Sequence, residues 1–245
     1  MVGTACIAVH PGDTIMIDRY SLTAAADKVG SFFSIDPHGL EIPFYSAAPA
    51  HLLPVVTLGS PGLSHFYWGT APEWSKNKPI GEKIINIHAE QIGERPTLRK
   101  QLKKSRCIIP ADGFYGWKKI GKKSAVPYRF ELKPRAVFSI AGVWDEYDDE
   151  EGNMIHTFMM ITVPSTESVA EISERMPAIM TQDETAVWMN SDSTEEQLLS
   201  CLHASEWKFE SFSVSPRIAD PNANDATMII PVPPADQFGN LTLFS

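Results

Sequence analysis

Cysteine is scarce in this 245-residue chain. Cys6, Cys107 and Cys201 are odd in number and widely spaced, which excludes a disulfide framework and a thiolate zinc site and fits a reducing compartment. No run of about 18 apolar residues occurs, so no membrane-spanning helix is expected. The opening Met1-Val2-Gly3-Thr4-Ala5-Cys6 lacks the basic-then-apolar layout of a secretory signal, and the expected location is cytoplasmic. The histidines His10, His38, His51, His65, His88, His156 and His203 are scattered with no pair at ligand spacing, so no metal is expected. Phosphate-loop, dinucleotide-binding and nucleophile-elbow glycine motifs are absent, and no cofactor is expected. No internal repeat, low-complexity tract or Gly/Ser linker divides the chain, so residues 1–245 read as one domain.

An excess of positive charge is missing as well. Lys and Arg number 21 against 30 Asp and Glu, for a formal net charge of −9, which argues against strong non-specific adhesion to nucleic acid. The distribution is uneven. Between Arg95 and Arg135 stand 13 basic residues and only two acids, Asp112 and Glu131. Two arrangements produce such a run: a basic groove on an acidic protein, or a solvated helix face followed by a Lys-rich hairpin tip.

What is present is an ordinary apolar fraction of 43%, enough for a buried core. A short helix is expected over residues 21–29 behind a Ser/Thr cap. Extended chain follows over 42–57, then a short aromatic strand from His65 to Trp68 ending at Gly69. Pro96 to Lys104 reads as a helix with Pro at its start and basic residues at its end. Strands are expected over 107–109, 115–119, 128–132, 137–144 and 156–163, with turns at Gly121 and in the acidic tract Asp145 to Asn153. Three helices follow: one capped by Ser165 or Thr166, and two with capping-box spacing at Thr181/Glu184 and Ser193/Glu196. Asp220 to Ser245 is expected to wrap the surface. Strands dominate the middle and helices punctuate it, so the class is α+β with a curved or barrel-like sheet.

The segment Ile109-Pro110-Ala111-Asp112-Gly113-Phe114-Tyr115-Gly116-Trp117 carries the most information. Its glycines permit a turn or a close approach, and its aromatics offer flat faces for stacking. Other segments stand around it in order: Phe66 to Trp74, Ile85-Asn86-Ile87-His88-Ala89-Glu90, Arg106 onward, Phe138 to Trp144, Ala170 to Pro177, and Val214-Ser215-Pro216-Arg217. Together they resemble the SOS response-associated peptidase (SRAP) family of abasic-site-processing proteins. The resemblance implies a mostly antiparallel, barrel-like sheet flanked by helices, and single-stranded or abasic DNA as partner.

For active members the resemblance implies a cysteine at the N-terminus whose amine condenses with the aldehyde of an abasic site and whose thiol then closes a thiazolidine. A free α-amine has a pKa near 8, roughly, so part of it is nucleophilic at neutral pH, and the thiol traps the imine. Asparagine, glutamate and histidine position the reactants and move protons. Carried onto this sequence, Val2-Gly3-Thr4 is expected to stand for the family's Cys-Gly-Arg start. Gly116 replaces the motif glutamate, Ser173 the histidine, His88 an arginine, and Phe44-Tyr45-Ser46-Ala47-Ala48-Pro49 the Arg-Tyr-Asn-x-Ala-Pro segment. Asn86 alone of the reacting set remains, as the candidate catalytic residue. Trp68, His88, Arg106, Trp117 and Arg175 are the candidate DNA contacts, with Arg99, Lys103 and Lys104 along the same groove.

Plainer roles compete at each position. Trp68 and Trp117 fit a core equally well. Asn86, flanked by isoleucines, needs hydrogen-bond partners if buried. Arg175 has Glu171 and Glu174 within reach on a helix. Cys107 and Cys201 read as core thiols. Three functions stay open on these residues: altered abasic-site chemistry, non-covalent binding of single-stranded DNA, and a scaffold that no longer meets DNA.

Overall fold

The computed structural model describes residues 17–60, 62–69, 84–121, 124–148, 151–204 and 207–242. Val2, Gly3, Thr4, Cys6, the stretch from Thr70 to Trp74, and Lys122 and Lys123 lie outside them. In chain order the elements are β1 (Tyr20–Leu22), α1 (Ala26–Phe33), β2 (Phe44–Ala47), β3 (Leu52–Thr57), β4 (Leu63–Trp68), β5 (Asn86–His88), α2 (Ala89–Ile92), α3 (Pro96–Lys104), β6 (Arg106–Ala111), β7 (Gly113–Lys119), β8 (Ala125–Leu132), β9 (Phe138–Asp148), β10 (Met154–Pro164), α4 (Glu167–Ala170), β11 (Arg175–Pro177), β12 (Ile179–Met180), α5 (Gln182–Trp188), α6 (Glu195–Ser200) and β13 (Phe209–Ser213). Two short 3-10 turns, Pro216–Ala219 and Ala226–Ile229, follow.

Strands β4, β3, β6, β9 and β10 pair in sequence, and β10 closes the ring by pairing with β4. That last pairing is parallel and the other four are antiparallel. Closure removes the exposed edges that an open sheet would leave. A second sheet runs β13-β8-β7-β1-β2, all antiparallel. The chain is thus α+β with a barrel and a flanking sheet. The largest buried cluster joins the two, with Ile108, Ile140 and Phe158 of the barrel beside Phe114 and Phe130 of the second sheet.

The link between the sheets is Asp112, between β6 and β7. Its carboxylate accepts hydrogen bonds from the backbone N–H of Thr23 (2.6 Å) and Ala24 (2.9 Å) and from the hydroxyls of Ser21 and Thr23 (2.7 Å each). Buried Arg129 lies against Asp112 at 3.4 Å and against Glu131, which also binds Arg135. Gly113 has no alternative here: a Cβ on it would stand 2.6 Å from Arg129 Nη2 and 2.8 Å from Ser21 Oγ.

Several expected elements move. The helix expected at 21–29 begins only at Ala26, because Ser21 pairs in β1 and the Thr23 and Ala24 N–H groups are held by Asp112. The acidic tract is not all turn. Asp145, Glu146 and Asp148 continue β9, their backbone held by β10 in register Asp148↔Met154. The capping box at Thr181/Glu184 is present. The next lies one residue further on, at Thr194/Gln197, while Ser193 Oγ donates to the Val187 carbonyl. Among the described residues no helix is long and apolar enough to cross a membrane.

Candidate functional site

The described chain starts at Ile17, and the fold threads it between the two sheets. The Tyr115 N–H donates to the Arg19 carbonyl at 3.1 Å, drawing residues 17–19 along β7. Ile17 is fully buried. Asn86 Nδ2 donates to its carbonyl at 2.7 Å. The parallel pairing of β5 with β10, with Asn86 opposite Met160, sets Asn86 in place. Asn86 Oδ1 is buried and has no hydrogen-bond partner among the described residues.

Arg19 is buried too. It donates from Nε to the Ile218 carbonyl (3.2 Å), from Nη2 to the Ala219 carbonyl (3.3 Å), and from Nη1 to the carbonyl and carboxylate of Asp18 (2.6 and 3.2 Å). On its other side Asp18 accepts from Trp117 Nε1 at 3.4 Å. The 3-10 turn Pro216–Ala219 therefore tethers the first described residues.

Gly116 and Ser173 are 57 positions apart in sequence and neighbours in space. A Cβ on Gly116 would lie 3.1 Å from Ser173 Cβ, 3.1 Å from Phe130 Cε2 and 3.5 Å from Ile172 Cγ2. Ser173 is 2% exposed, and its hydroxyl donates to the Arg175 carbonyl at 2.8 Å. Both positions are thus packed, with no cleft between them for a longer side chain. Tyr20 and Trp68 pack edge to face at 5.3 Å. Burial, and then the Cys107 thiol, push the Tyr20 phenol up from its ordinary value.

Arg175 does not lie on a helix with Glu171 and Glu174 as partners. It is in β11, and its carboxylate partner is Glu90 of α2, engaged through both oxygens (3.3 and 2.9 Å). Its Nε donates to Thr162 Oγ1 (3.1 Å) and its Nη2 to the Thr162 carbonyl (2.6 Å). His88 sits at this ion pair. Its pKa is lowered by partial burial first and by Arg175 second, with Glu90 opposing. Burial would raise the Glu90 carboxyl, but the bonds from Arg175 hold it below the ordinary value.

Of the expected DNA contacts, His88 and Arg175 therefore come together, His88 on the strand that carries Asn86 and Arg175 on β11. The others serve the fold. Trp68 is fully buried and its indole donates to the Ile85 carbonyl at 2.9 Å. Trp117 is 5% exposed. Arg106, 1% exposed, donates to the carbonyls of Leu102, Lys103, Trp188 and Asn190. It ties α3 to the end of α5 and presents no face to a ligand. The long basic run does not form one groove. Arg129 and Arg135 belong to the buried Asp112/Glu131 network, Lys118 and Lys119 end β7, and Arg99, Lys100, Lys103 and Lys104 cover α3. Among the described residues no cluster of three or more His, Cys, Asp or Glu is placed to hold a metal ion. Cys107 and Cys201 are buried and free, as core thiols.

Sequence reasoning overlooked Ile17, Asp18, Arg19 and Glu90. The signal for the first three was present: an arginine follows Met16 at the spacing of Met-Cys-Gly-Arg.

The chain matches the family model described as SOS response associated peptidase (SRAP) over residues 16–221. It is 35% identical over 223 residues to the abasic site processing protein YoqW of Bacillus subtilis, covering 87% of this chain and 99% of the relative. To YobE of the same organism, also an abasic site processing protein, it is 36% identical over 192 residues, covering 76% and 88%. A solved structure of a Bacteroides thetaiotaomicron protein superposes with a TM-score of 0.77 at 26% identity, covering 87% of this chain and 99% of that one. Val2-Gly3-Thr4, expected to stand for the opening Cys-Gly-Arg, fall outside the matched residues; the match opens on Met16-Ile17-Asp18-Arg19.

Proposed function

Because the chain belongs to the SOS response associated peptidase family, we propose that it engages damaged single-stranded DNA without capturing it covalently. The abasic site processing relatives supply the substrate class, and the packing around Asn86 supplies the restriction on chemistry. In this reading Ile17 takes the place of the family's cysteine. One observation carries the reading: Ile17 is fully buried and its carbonyl is held by Asn86 at 2.7 Å. An alkyl side chain has no sulfur to close a thiazolidine. The Ile17 nitrogen follows Met16 in the sequence and is an amide, whose lone pair is delocalised and not nucleophilic.

The proton-moving positions agree. Gly116 carries no acid and Ser173 no imidazole, and a hydroxyl cannot relay a proton near neutral pH as imidazole can. Arg175 and His88 are the groups left to meet a phosphate. Arg175 does so by exchanging the Glu90 carboxylate for the phosphate oxygens, a swap between two bidentate partners. The test is fluorescence anisotropy with a single-stranded oligonucleotide, with and without one abasic site, at two salt concentrations. Binding that weakens steeply with salt is expected. Absence of binding to either strand at low salt would remove the DNA reading and leave the scaffold.

A further inference from the structure

We infer that α3, with Glu195 of α6 at its side, forms a second, surface site, one that holds the sugar-phosphate backbone of single-stranded nucleic acid. The site is a hollow of about 340 Å³ lined by Pro96, Arg99, Lys100, Lys103, Lys104 and Glu195. Four cations face one carboxylate there, on a chain whose acids outnumber its bases by 30 to 21.

Of the four cations of α3, Lys103 and Lys104 complement the C-terminal end of the helix dipole, while Arg99 and Lys100 lie before the last turn, where the dipole gives them no such role. α3 has no acidic residue, so its cations have no partner along the helix. Arg99 and Lys103 stand four apart, as do Lys100 and Lys104, and like charges at that spacing repel. Leu102 is its buried anchor. A helix that sets like charges four apart without a packing reason marks a functional surface.

Glu195 organises the cations rather than cancelling them. It reaches Arg99 at 3.6 Å and Lys103 at 3.2 Å, fixing one row of the helix against α6. Lys100 and Lys104, in the second row, are exposed and make no ion pair among the described residues. They also border an adjoining hollow of about 300 Å³ walled by the Trp144 indole. Asp145 and Glu146 line this hollow too; Asp145 accepts a hydrogen bond from Gln101 (3.2 Å) and Glu146 lies 3.5 Å from His156. A row of free ammonium groups beside a half-buried indole is the combination that phosphates and a stacked base require. The occupant is a nucleic-acid strand rather than a lone anion, because two connected hollows along a nine-residue helix offer repeated cation positions.

The position suits a strand arriving from Asn86. α2 follows β5 directly and packs on α3, with Arg99 donating to the Gly93 carbonyl. His88, Arg175 and the basic hollow thus lie in series, one short helix apart. The inference rests on the damaged-DNA reading for its ligand and adds where the undamaged flank of the strand would run.

The experiment is anisotropy of an unmodified oligothymidine at several salt concentrations with the full chain, K100Q/K104Q, and K118Q/K119Q as a control of equal charge change at the end of β7. Two lost phosphate contacts on a single strand lower the slope of log affinity against log salt by about 1.4 and affinity by about tenfold or more. The control is expected to change affinity less than about twofold, as loss of general charge alone would. Equal losses in both variants would overturn the site. If the parent binds and K100Q/K104Q binds equally well, the site falls while the DNA reading stands. If the parent binds no strand, both fall.

Discussion

Gly116→Glu places a carboxylate at the position where the family resemblance implies one, and provides the sharpest test of how the site is packed. The first atom added, Cβ, meets Ser173 Cβ and Phe130 Cε2 at 3.1 Å and Ile172 Cγ2 at 3.5 Å. The remainder of the side chain then has to displace Ser173 or the Phe130 ring. Overpacking of a filled interior costs about 1–3 kcal/mol. A polar group buried without a partner adds about 1–3 kcal/mol, more if charged. The sum is about 2–6 kcal/mol, and at about 2–4 °C per kcal/mol for a chain of this size the melting temperature falls by roughly 5–20 °C. Gly116→Ala stays within about 1 kcal/mol of the parent, because the tight contact offsets the gain from removing a strand glycine. Ser173→Gly in the Gly116→Glu background recovers part of the loss by removing one of the two closest atoms. The assay is thermal and denaturant unfolding of the four proteins. A Gly116→Glu protein melting within about 2 °C of the parent, a shift worth less than 1 kcal/mol, would show that the position is open and refute the argument.

Other consequences concern the fold and the ion pair. Arg106→Lys removes most of the donors to four carbonyls, of which those of Leu102 and Trp188 are bonded in the interior; at about 1–3 kcal/mol for each buried group left unpaired, denaturant unfolding should register a loss of about 2 kcal/mol. Gly113→Ala drives a methyl into Arg129 Nη2 at 2.6 Å and should cost more than Gly116→Ala under the same assay. His88 has its folded value below the ordinary 6.5, so the neutral ring favours the native state. That contribution is fully present above the unfolded value and is lost as pH falls through 6.5 toward the folded value. In an NMR titration Arg175→Gln should raise the His88 value and Glu90→Gln lower it further; shifts of the same sign in both variants would contradict the assigned causes.

Much of the architecture was legible in the sequence because it is local. α3 has Pro at its start and lysines at its end, and it runs over the residues expected. The Thr181/Glu184 box reads directly from spacing. What was misjudged depends on distant partners. Asp112, some ninety residues away, takes the N–H groups that would have begun a helix near Thr23. β10 supplies the hydrogen bonds that keep the acidic end of β9 extended. Ser193 and Thr194 offer equivalent cap chemistry, and the choice between them rests on the bond from Ser193 to Val187.

The site divides in the same way. Asn86, His88, Gly116, Ser173 and Arg175 were identified by position within motifs, and the structure sets Asn86 against Ile17, Gly116 against Ser173, and His88 beside the Arg175–Glu90 pair. Whether an arginine or a tryptophan faces a ligand depends on burial, which a single sequence does not encode. Arg106 and Arg175 look alike as letters; one is enclosed by four carbonyls and the other is held by Glu90 at the edge of the site.

Intact-mass spectrometry reads covalent capture of an abasic strand without ambiguity. The protein is incubated with an oligonucleotide carrying one abasic site, denatured by heat, and weighed. The expected result is the unmodified protein mass alone, even where anisotropy under the same conditions records a complex. A heat-stable one-to-one adduct of protein and strand would contradict it.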